Sequence, residues 1–514
     1  MGLFGLAQRL RIAVLPRIEG VACAPEHESE VLFARRDPTR VQTKWPALSA
    51  AQREFPEVIA NCIWHDRAAR CCSFREMLGP SCIAGILGSR FRGYFDPLFG
   101  YRLNPACNMY YGRPRTPGRP LVLIVSPYAV YPPAHGGARR IHELISRLSS
   151  EFDIVLLSDE MENYSTESLK YFRNCHAVCL VGGRKADPAR DGRIDRILSH
   201  SHAALAAQLR ALIVIYDPDV VQVEYVELAR LVEAWDRRPW ILILHDILLN
   251  GLADEPSKAD KFELRYINQF DVVVTCSPED RALLQRDNVY VVPNGANVVV
   301  RYRPSVADAP ILFLGPFRYA SNLSGIIEFL ENVYPAIRAS VPNVRISILG
   351  GVDASVIATR SKCFQQPGLR IFDYIEDVDP YLESCSLTIN PDKAVRGSSL
   401  KVIESLAAGR ICVSTTDGAR GLKEVDLPSL VIANDENFAD HVIKLLTDVE
   451  YRHRIEAPTR TLNQFSWHES AARQAQIYDS LLETGCSGRT YVFAQAGTRG
   501  SIRAKERSRT TPGN

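Results

Sequence analysis

The run at residues 121–128, LVLIVSPY, constrains the chain more than any other stretch. It is apolar without alternation and rich in β-branched residues, which fits a strand covered on both faces, as in a parallel sheet. AVYPPAHGGARR follows, then Ile141, Leu144, Ile145 and Leu148 at helical spacing. Strand, glycine loop and helix in that order open a doubly wound α/β domain, and the start of such a helix attracts anions. Gly136 and Gly137 allow backbone to approach a ligand there, while Arg139 and Arg140 add positive charge. A tight turn with no ligand is the plainer alternative. The loop lacks GxGxxG, which argues against a dinucleotide enzyme.

The alternation continues. Segments 153–158, 176–181, 220–223, 240–244 and 271–275 read as strands, with helices after Ser165 and from Ala203. His245 and Asp246 directly follow the 240–244 run, and ligands of open α/β sheets bind beyond the carboxyl ends of strands. The pair is therefore a candidate site, against the alternative of an ordinary hydrogen-bonded loop histidine. Ser277, with Glu279 and Asp280 behind it, reads as a helix N-cap. In VYVVPNGANVVV the Asn294-Gly295 pair is a hairpin signal. A second strand-helix series begins at Ala309, however, so PNG reads instead as the connection between two domains.

That second series opens with PILFLGPFRYASN, which carries Arg318 and Asn322 after a buried strand. A helix over 323–339 follows, then strands at 344–349, 369–372, 387–391, 411–414 and 429–432. Before the 411–414 strand stands RGSSLKVIESLAAG: a small-residue turn, then a short helix with Ser399 and Leu400 at its start and Lys401 and Glu404 along it. A helix start beside a parallel-sheet edge suits a nucleotide's phosphates and ribose. The bland alternative is an i,i+3 surface ion pair of Lys401 and Glu404, worth a few tenths of a kcal/mol.

With 514 residues the chain is too long for one core. Its formal net charge of +2 is too balanced for a nucleic-acid binder held by phosphate contacts, so no nucleic-acid partner is expected. Thirteen scattered cysteines without paired CxxC knuckles point to a reduced, cytosolic setting. Cys62, His65 and either Cys71 or Cys72 are metal ligands by type, yet no fourth ligand stands at a recognised spacing, and buried thiols are preferred. No apolar run approaches the roughly 18 to 20 residues of a membrane span, and the amino terminus makes a poor secretory signal. Residues 1–119 form an extension of unknown fold. Residues 485–514 read as a disordered basic tail, for which peripheral contact with anionic lipid is the lesser alternative to a solvated one.

Taken in order, SPYAVYPPAHGGARRIHELISRL, DVVQVEY, ILILHD, DVVVTCSPEDRALL, NVYVVPNGANV, ILFLGPFRYASN, YLESCSLTINP and GSSLKVIESLAAGRICVSTTDGARGL resemble the family 4 retaining glycosyltransferases of the GT-B fold. The resemblance spans residues 120 to about 483. It implies two Rossmann-like doubly wound domains facing across a cleft: 120–300 on the acceptor side, 301–465 holding the donor, and 466–484 as a closing helix. It implies transfer of a sugar from a UDP- or GDP-sugar to a sugar or lipid-linked acceptor, with no metal and no other cofactor. By the same resemblance Glu404 meets the donor ribose, and the amides of Ser399 and Leu400 meet the diphosphate. Gly136 and Gly137 lie near the phosphates or the acceptor, and His245 lies near the transferred sugar.

Two departures stand out. The first glutamate of the family's Glu-x7-Glu falls on Arg396, and the cationic pair over the diphosphate is displaced, leaving Arg318, Asn322 and, as substitute cation, Lys401. The implied setting is bacterial cell-surface polysaccharide or glycolipid assembly, in the cytoplasm or on the inner membrane face. A nucleotide-sugar 2-epimerase and a non-catalytic nucleotide-sugar-binding scaffold are the rival readings.

Overall fold

The computed structural model describes residues 107–182, 192–234, 238–247, 249, 256–298, 302–393 and 397–484. Two Rossmann-like units lie within them. The first is built on an eight-stranded sheet of β1 (Cys107–Tyr111), β2 (Leu121–Ser126), β3 (Asp153–Ser158), β4 (Ala177–Val181), β5 (Val220–Glu224), β6 (Trp240–Leu244), β7 (Val272–Thr275) and β8 (Val289–Val291). Its order is β1-β4-β3-β2-β5-β6-β7-β8, parallel throughout except for β1, which runs antiparallel to β4. The second unit has β9 (Ile311–Leu314), β10 (Ile346–Leu349), β11 (Leu369–Phe372), β12 (Leu387–Asn390), β13 (Cys412–Thr415) and β14 (Leu430–Ala433) in the all-parallel order β11-β10-β9-β12-β13-β14.

The unalternating strands are buried on both faces, as their composition requires. In β2, Leu121, Leu123 and Val125 enter one core while Val122 and Ile124 enter the other. The helices that matter for the site are α1 (Gly136–Leu148), α2 (Ala203–Tyr216), α3 (Ala320–Asn332), α4 (Leu400–Ala407) and α5 (Trp467–Thr484). Where one helix is expected over 323–339 there are two, α3 and Tyr334–Ser340, meeting at Val333. Pro335 sits in the first turn of the second, where its missing N–H breaks no bond.

One further element departs from the sequence reading. Strand β1 comes from the segment left unassigned; CNMYY is short and mixes polar with apolar residues, so it carries no strand pattern of its own. Asn294-Gly295 opens no hairpin, since β8 pairs with β7 alone among the described strands. Instead Asn294 accepts from Arg140 at 3.0 Å and donates to Ser398 Oγ at 3.0 Å.

Strand order fixes where a ligand can lie. Each sheet has one switch point, between β2 and β5 in the first and between β9 and β12 in the second. The loops leaving a switch point diverge and open a crevice. Those loops carry Gly136, Gly137 and Tyr225 in one unit, and Arg318 and the turn into α4 in the other.

After completing the second sheet the chain returns to the first. Ala471, Ala475, Ile477, Tyr478 and Leu481 of α5 join the core formed by one face of the first sheet and the buried side of α1. The crossing is stitched by Ala296, whose N–H donates to Phe465 O at 2.8 Å. Arg140, expected to add charge to a ligand loop, is only 1% exposed. It donates to Val292 O at 2.8 Å and Pro293 O at 3.0 Å, holding α1 to the connection between units.

The possible ligands Cys62, His65, Cys71 and Cys72, the departure at Arg396 and the basic tail all lie outside the described residues. Seven described cysteines are free and buried, and burial pushes the Cys385 thiol up to about 12. No helix among the described residues is long and apolar enough to cross a membrane.

Arg140→Ala leaves buried carbonyl groups without donors, an expected loss of about 3 kcal/mol. A thermal melt tests this: a midpoint within a degree of wild type would refute the anchoring role.

Candidate functional site

The two switch-point crevices face one another. Helix α1 begins at Gly136, with His135 as N-cap; its Nδ1 accepts from Ala138 N at 3.2 Å. Accepting through Nδ1 requires that nitrogen to be bare. Burial, then the positive charge of Arg318 and the neighbouring His245, lower the His135 pKa from 6.5 to about 4. Arg318 belongs to the opposite unit, so the cap is influenced from across the cleft.

Gly137 lies where a side chain has no room. A Cβ there would stand 1.6 Å from Tyr225 Oη and 3.4 Å from His245 Nδ1. Tyr225 follows β5 with a φ of +67°, a left-handed conformation rarely adopted by aromatic residues. The turn stacks its ring on His245, with centroids 3.8 Å apart and planes 7° from parallel. Tyr128 packs edge-on against Tyr225 at 5.1 Å and donates to Glu227 Oε1 at 3.2 Å.

His245 is held by Glu224, not by its sequence neighbour Asp246. Its Nε2 lies 2.7 Å from Glu224 Oε2, and Glu224 is 2% exposed. Asp246 lies among Glu227, Arg196 and His245, and its carboxyl is pushed up, mainly by burial and then by Glu227. The sequence pair His245-Asp246 lies at the end of β6, and His245 makes its bond to Glu224 of the neighbouring strand.

From the second unit, α4 presents its start. Ser399 is the N-cap residue, and no side chain among the described residues caps the helix. The leading amides are thus available to an anion. Leu400 Cδ2 lies 3.8 Å from where a Gly136 Cβ would be, so the starts of α1 and α4 meet across the cleft. Gly397, at a φ of +69°, leaves room for only 2.3 Å between a Cβ and the His245 carbonyl oxygen.

The i,i+3 pair of Lys401 and Glu404, the plainer alternative from sequence, is not formed. Lys401 Nζ reaches Asp392 Oδ2 at 2.5 Å and Asn322 Oδ1 at 2.9 Å, and stands over the Phe313 ring. Asn322 in turn donates to Pro316 O at 3.0 Å. Lys401 and Asn322 are thereby brought together below the α4 start. Glu404 instead meets Arg139 of the other unit, at 2.7 Å, with 13% of its side chain exposed. Burial raises the Glu404 pKa and Arg139 opposes it. Arg318 is exposed at the rim, its guanidinium donating to Tyr319 Oη at 3.0 Å and lying over that ring.

Gly136, Gly137, His245, Ser399, Leu400, Glu404 and Arg318 therefore line one cleft, with Lys401 and Asn322 behind it. Tyr225, Glu224, His135 and Gly397 were not singled out from sequence. Glu224 left one trace there: with Gln222 it is a polar residue inside a strand otherwise buried and apolar.

Two family models match this chain: "Glycosyltransferase Family 4" over residues 134–299 and "Glycosyl transferases group 1" over residues 309–448. Together they cover more than half of it. The chain belongs to the family 4 glycosyltransferases of the GT-B fold.

The fold likeness extends to solved structures. A sucrose-phosphate synthase of Thermosynechococcus elongatus superposes with a TM-score of 0.56 at 15% identity, covering 71% of this chain and all of that one. Anabaena HepE, solved in complex with UDP and glucose, gives 0.53 at 14% identity over 70% of this chain and 100% of its own. A glycosyltransferase from Rickettsia africae gives 0.52 at 14% over 72% and 100%. Among curated proteins, an uncharacterised 44.6 kDa protein in the cps region of Klebsiella pneumoniae is 24% identical over 179 residues. That match takes in 34% of this chain and 45% of the relative, less than half of its length.

Two outcomes follow from this geometry. Gly137→Ala drives a methyl group into Tyr225 and should lower turnover at least about tenfold with little change in melting temperature; unaltered turnover would refute the close approach. Because folded His135 gains its proton only near pH 4 while an unfolded histidine gains it near 6.5, the unfolded chain binds more protons in that window. Stability should therefore decline as pH falls from 6.5 to 4. His135→Gln should flatten that part of a melting-temperature profile, and an unchanged slope would contradict the cap.

Proposed function

We propose that the chain is a retaining glycosyltransferase that moves a sugar from a UDP- or GDP-sugar to a sugar or lipid-linked acceptor. The observation that carries this reading is the meeting of the uncapped α4 start and Glu404 with the glycine turn, Tyr225 and His245 across the cleft. A diphosphate fits amides that no side chain caps, and a buried carboxylate accepts ribose hydroxyls. The structural likeness to a protein solved with UDP and glucose supports a nucleotide-sugar in this position.

In this reading Glu404 exchanges partners. The entering ribose takes its carboxylate from Arg139, and the released guanidinium, with exposed Arg318, faces the diphosphate. These two arginines suit the cationic role better than Lys401, whose charge is already shared with Asp392. As the sugar-phosphate bond breaks, the amides and guanidiniums stabilise the departing diphosphate without a metal. His245 sits beside the transferred sugar. The donor phosphate and the alignment of both substrates supply the rest of the catalysis, and no protein nucleophile is assigned. The likeness to a protein of a cps region supports polysaccharide assembly as the setting.

A thermal-shift panel of UDP- and GDP-sugars, followed by transfer assays, tests the reading. Glu404→Ala should weaken donor binding about tenfold, the cost of a lost charge-assisted hydrogen bond. His245→Ala should lower kcat more than it weakens binding, and a chelator should leave turnover unchanged. Absence of any donor-induced shift would end the donor-site reading, and inversion of the sugar without transfer would establish an epimerase instead.

A further inference from the structure

Behind His245 runs a buried chain of polar side chains that reaches the carboxy-terminal helix. Glu224 Oε2 meets His245 Nε2 at 2.7 Å, and Glu224 Oε1 accepts from Gln222 Nε2 at 2.6 Å. Gln222 Oε1 accepts from Tyr478 Oη at 2.5 Å and from Gln474 Nε2 at 3.2 Å, both on α5. Gln222 and Glu224 are each 2% exposed, Tyr478 1% and Gln474 0%. Tyr478 is itself packed edge-on against Phe152. Polar groups this deep are costly unless their bonds are made, so the direction of every bond in the chain matters.

That direction is determined at the carboxylate end. An ionised carboxylate only accepts, so Nε2 of His245 must carry its proton and Gln222 must turn its amide nitrogen toward Glu224. The amide oxygen of Gln222 then faces α5, where a tyrosine hydroxyl and a glutamine nitrogen donate to it. Reversing Gln222 would set its amide oxygen against the carboxylate of Glu224. The ring plane is fixed separately, by stacking on Tyr225. Nδ1 is the remaining ring nitrogen, and it points toward Gly137.

We propose that Gln474 and Tyr478 of the carboxy-terminal helix, through Gln222 and Glu224, lock His245 in the Nε2–H tautomer so that a bare Nδ1 accepts a hydroxyl of the transferred sugar. The proposal rests on the placement of that sugar beside His245. Glu224, Gln222, Gln474 and Tyr478 are positioning residues, since none touches the cleft ligand in this arrangement. A bare nitrogen selects a group that brings its own hydrogen. The recognised feature is a hydroxyl, not a carboxylate or phosphate oxygen.

The experiment uses the full chain labelled with 15N in histidine, with His245→Gln identifying the His245 ring signals among the eleven histidines. Long-range proton-nitrogen spectra of the free protein should show His245 protonated at Nε2 and bare at Nδ1. Glu224→Gln offers one acceptor where two are needed, so it should shift the ring toward the other tautomer. It should also lower kcat about tenfold, the effect of one buried hydrogen bond lost, while the donor dissociation constant stays within about twofold.

Tyr478→Phe keeps the packing and removes one donor to Gln222. It should produce a smaller change of the same kind, and it decides the matter if Glu224→Gln fails to fold. A tautomer unchanged in a folded variant overturns the lock, and a changed tautomer with unchanged kcat overturns its role in the reaction. Because the spectra need no substrate, they still decide the lock if no nucleotide-sugar is turned over, a result that would count against the proposed function instead.

Discussion

One contact between the two halves of the cleft leaves no space for a side chain. Gly397 lies against the carbonyl of His245, with the backbone in a left-handed conformation and room for no side chain. Any larger residue would hold the α4 start away from the end of β6, and the cleft would be two separate crevices. Around this point the rest arranges itself: Ser398 accepts from Asn294, Arg420 pairs with Asp280 at 2.7 Å, and Gly421 N donates to Glu279 at 3.1 Å. These bonds form a polar seam between the units. The buried parts of the site lie inside that seam.

The charges inside the cleft are unequally committed. Lys401 is tied to Asp392 and Asn322 on its own unit, so it moves with α4 and its field is largely cancelled before it reaches the cleft. Arg139 and Glu404 stand on different units, and their bond exists only while the units are close. A ligand that competes for Glu404 therefore gains a carboxylate and frees a guanidinium in one step. Reading Lys401 and Glu404 as helix neighbours from their spacing misses this, because each is drawn to a partner far away in sequence.

Much of the architecture was legible before any coordinates, for a physical reason. Strands buried on both faces must be apolar throughout, and runs such as 121–125 and 240–244 have no other stable use in a water-soluble domain. Turns after such strands gather at one sheet edge, so Gly136, Gly137 and His245 could be placed at the same end of the sheet from sequence alone. Partners across space could not. Nothing in the spacing of Glu224 and His245 joins them; parallel pairing of β5 with β6 does, by setting Glu224 beside Ile243. Tyr225 was hidden for a different reason, since its role depends on a left-handed turn that its residue type does not announce. Strand β1 was missed because an edge strand of five residues needs no strong pattern when β4 supplies its bonds.

The carboxy-terminal helix bears on how such a cleft can move. The chain passes from the first unit to the second near residues 292–298 and returns near 465–467. Those two passages are fastened together: Ala296 donates to Phe465 O and accepts from Trp467 N, and a Cβ on Gly295 would stand 2.6 Å from that same nitrogen. Two strands of chain fixed side by side act as one hinge. Twisting is resisted more strongly than bending about it, which favours closure along a single path. Helix α5 lies wholly on the first unit's side of that hinge, packed on the same core as α1. The bonds from Tyr478 and Gln474 to Gln222 lie within the first unit, whereas the pair of Arg139 and Glu404 spans the two units. His245 is therefore oriented by bonds and stacking from its own unit, without any contribution from the helix start of the second.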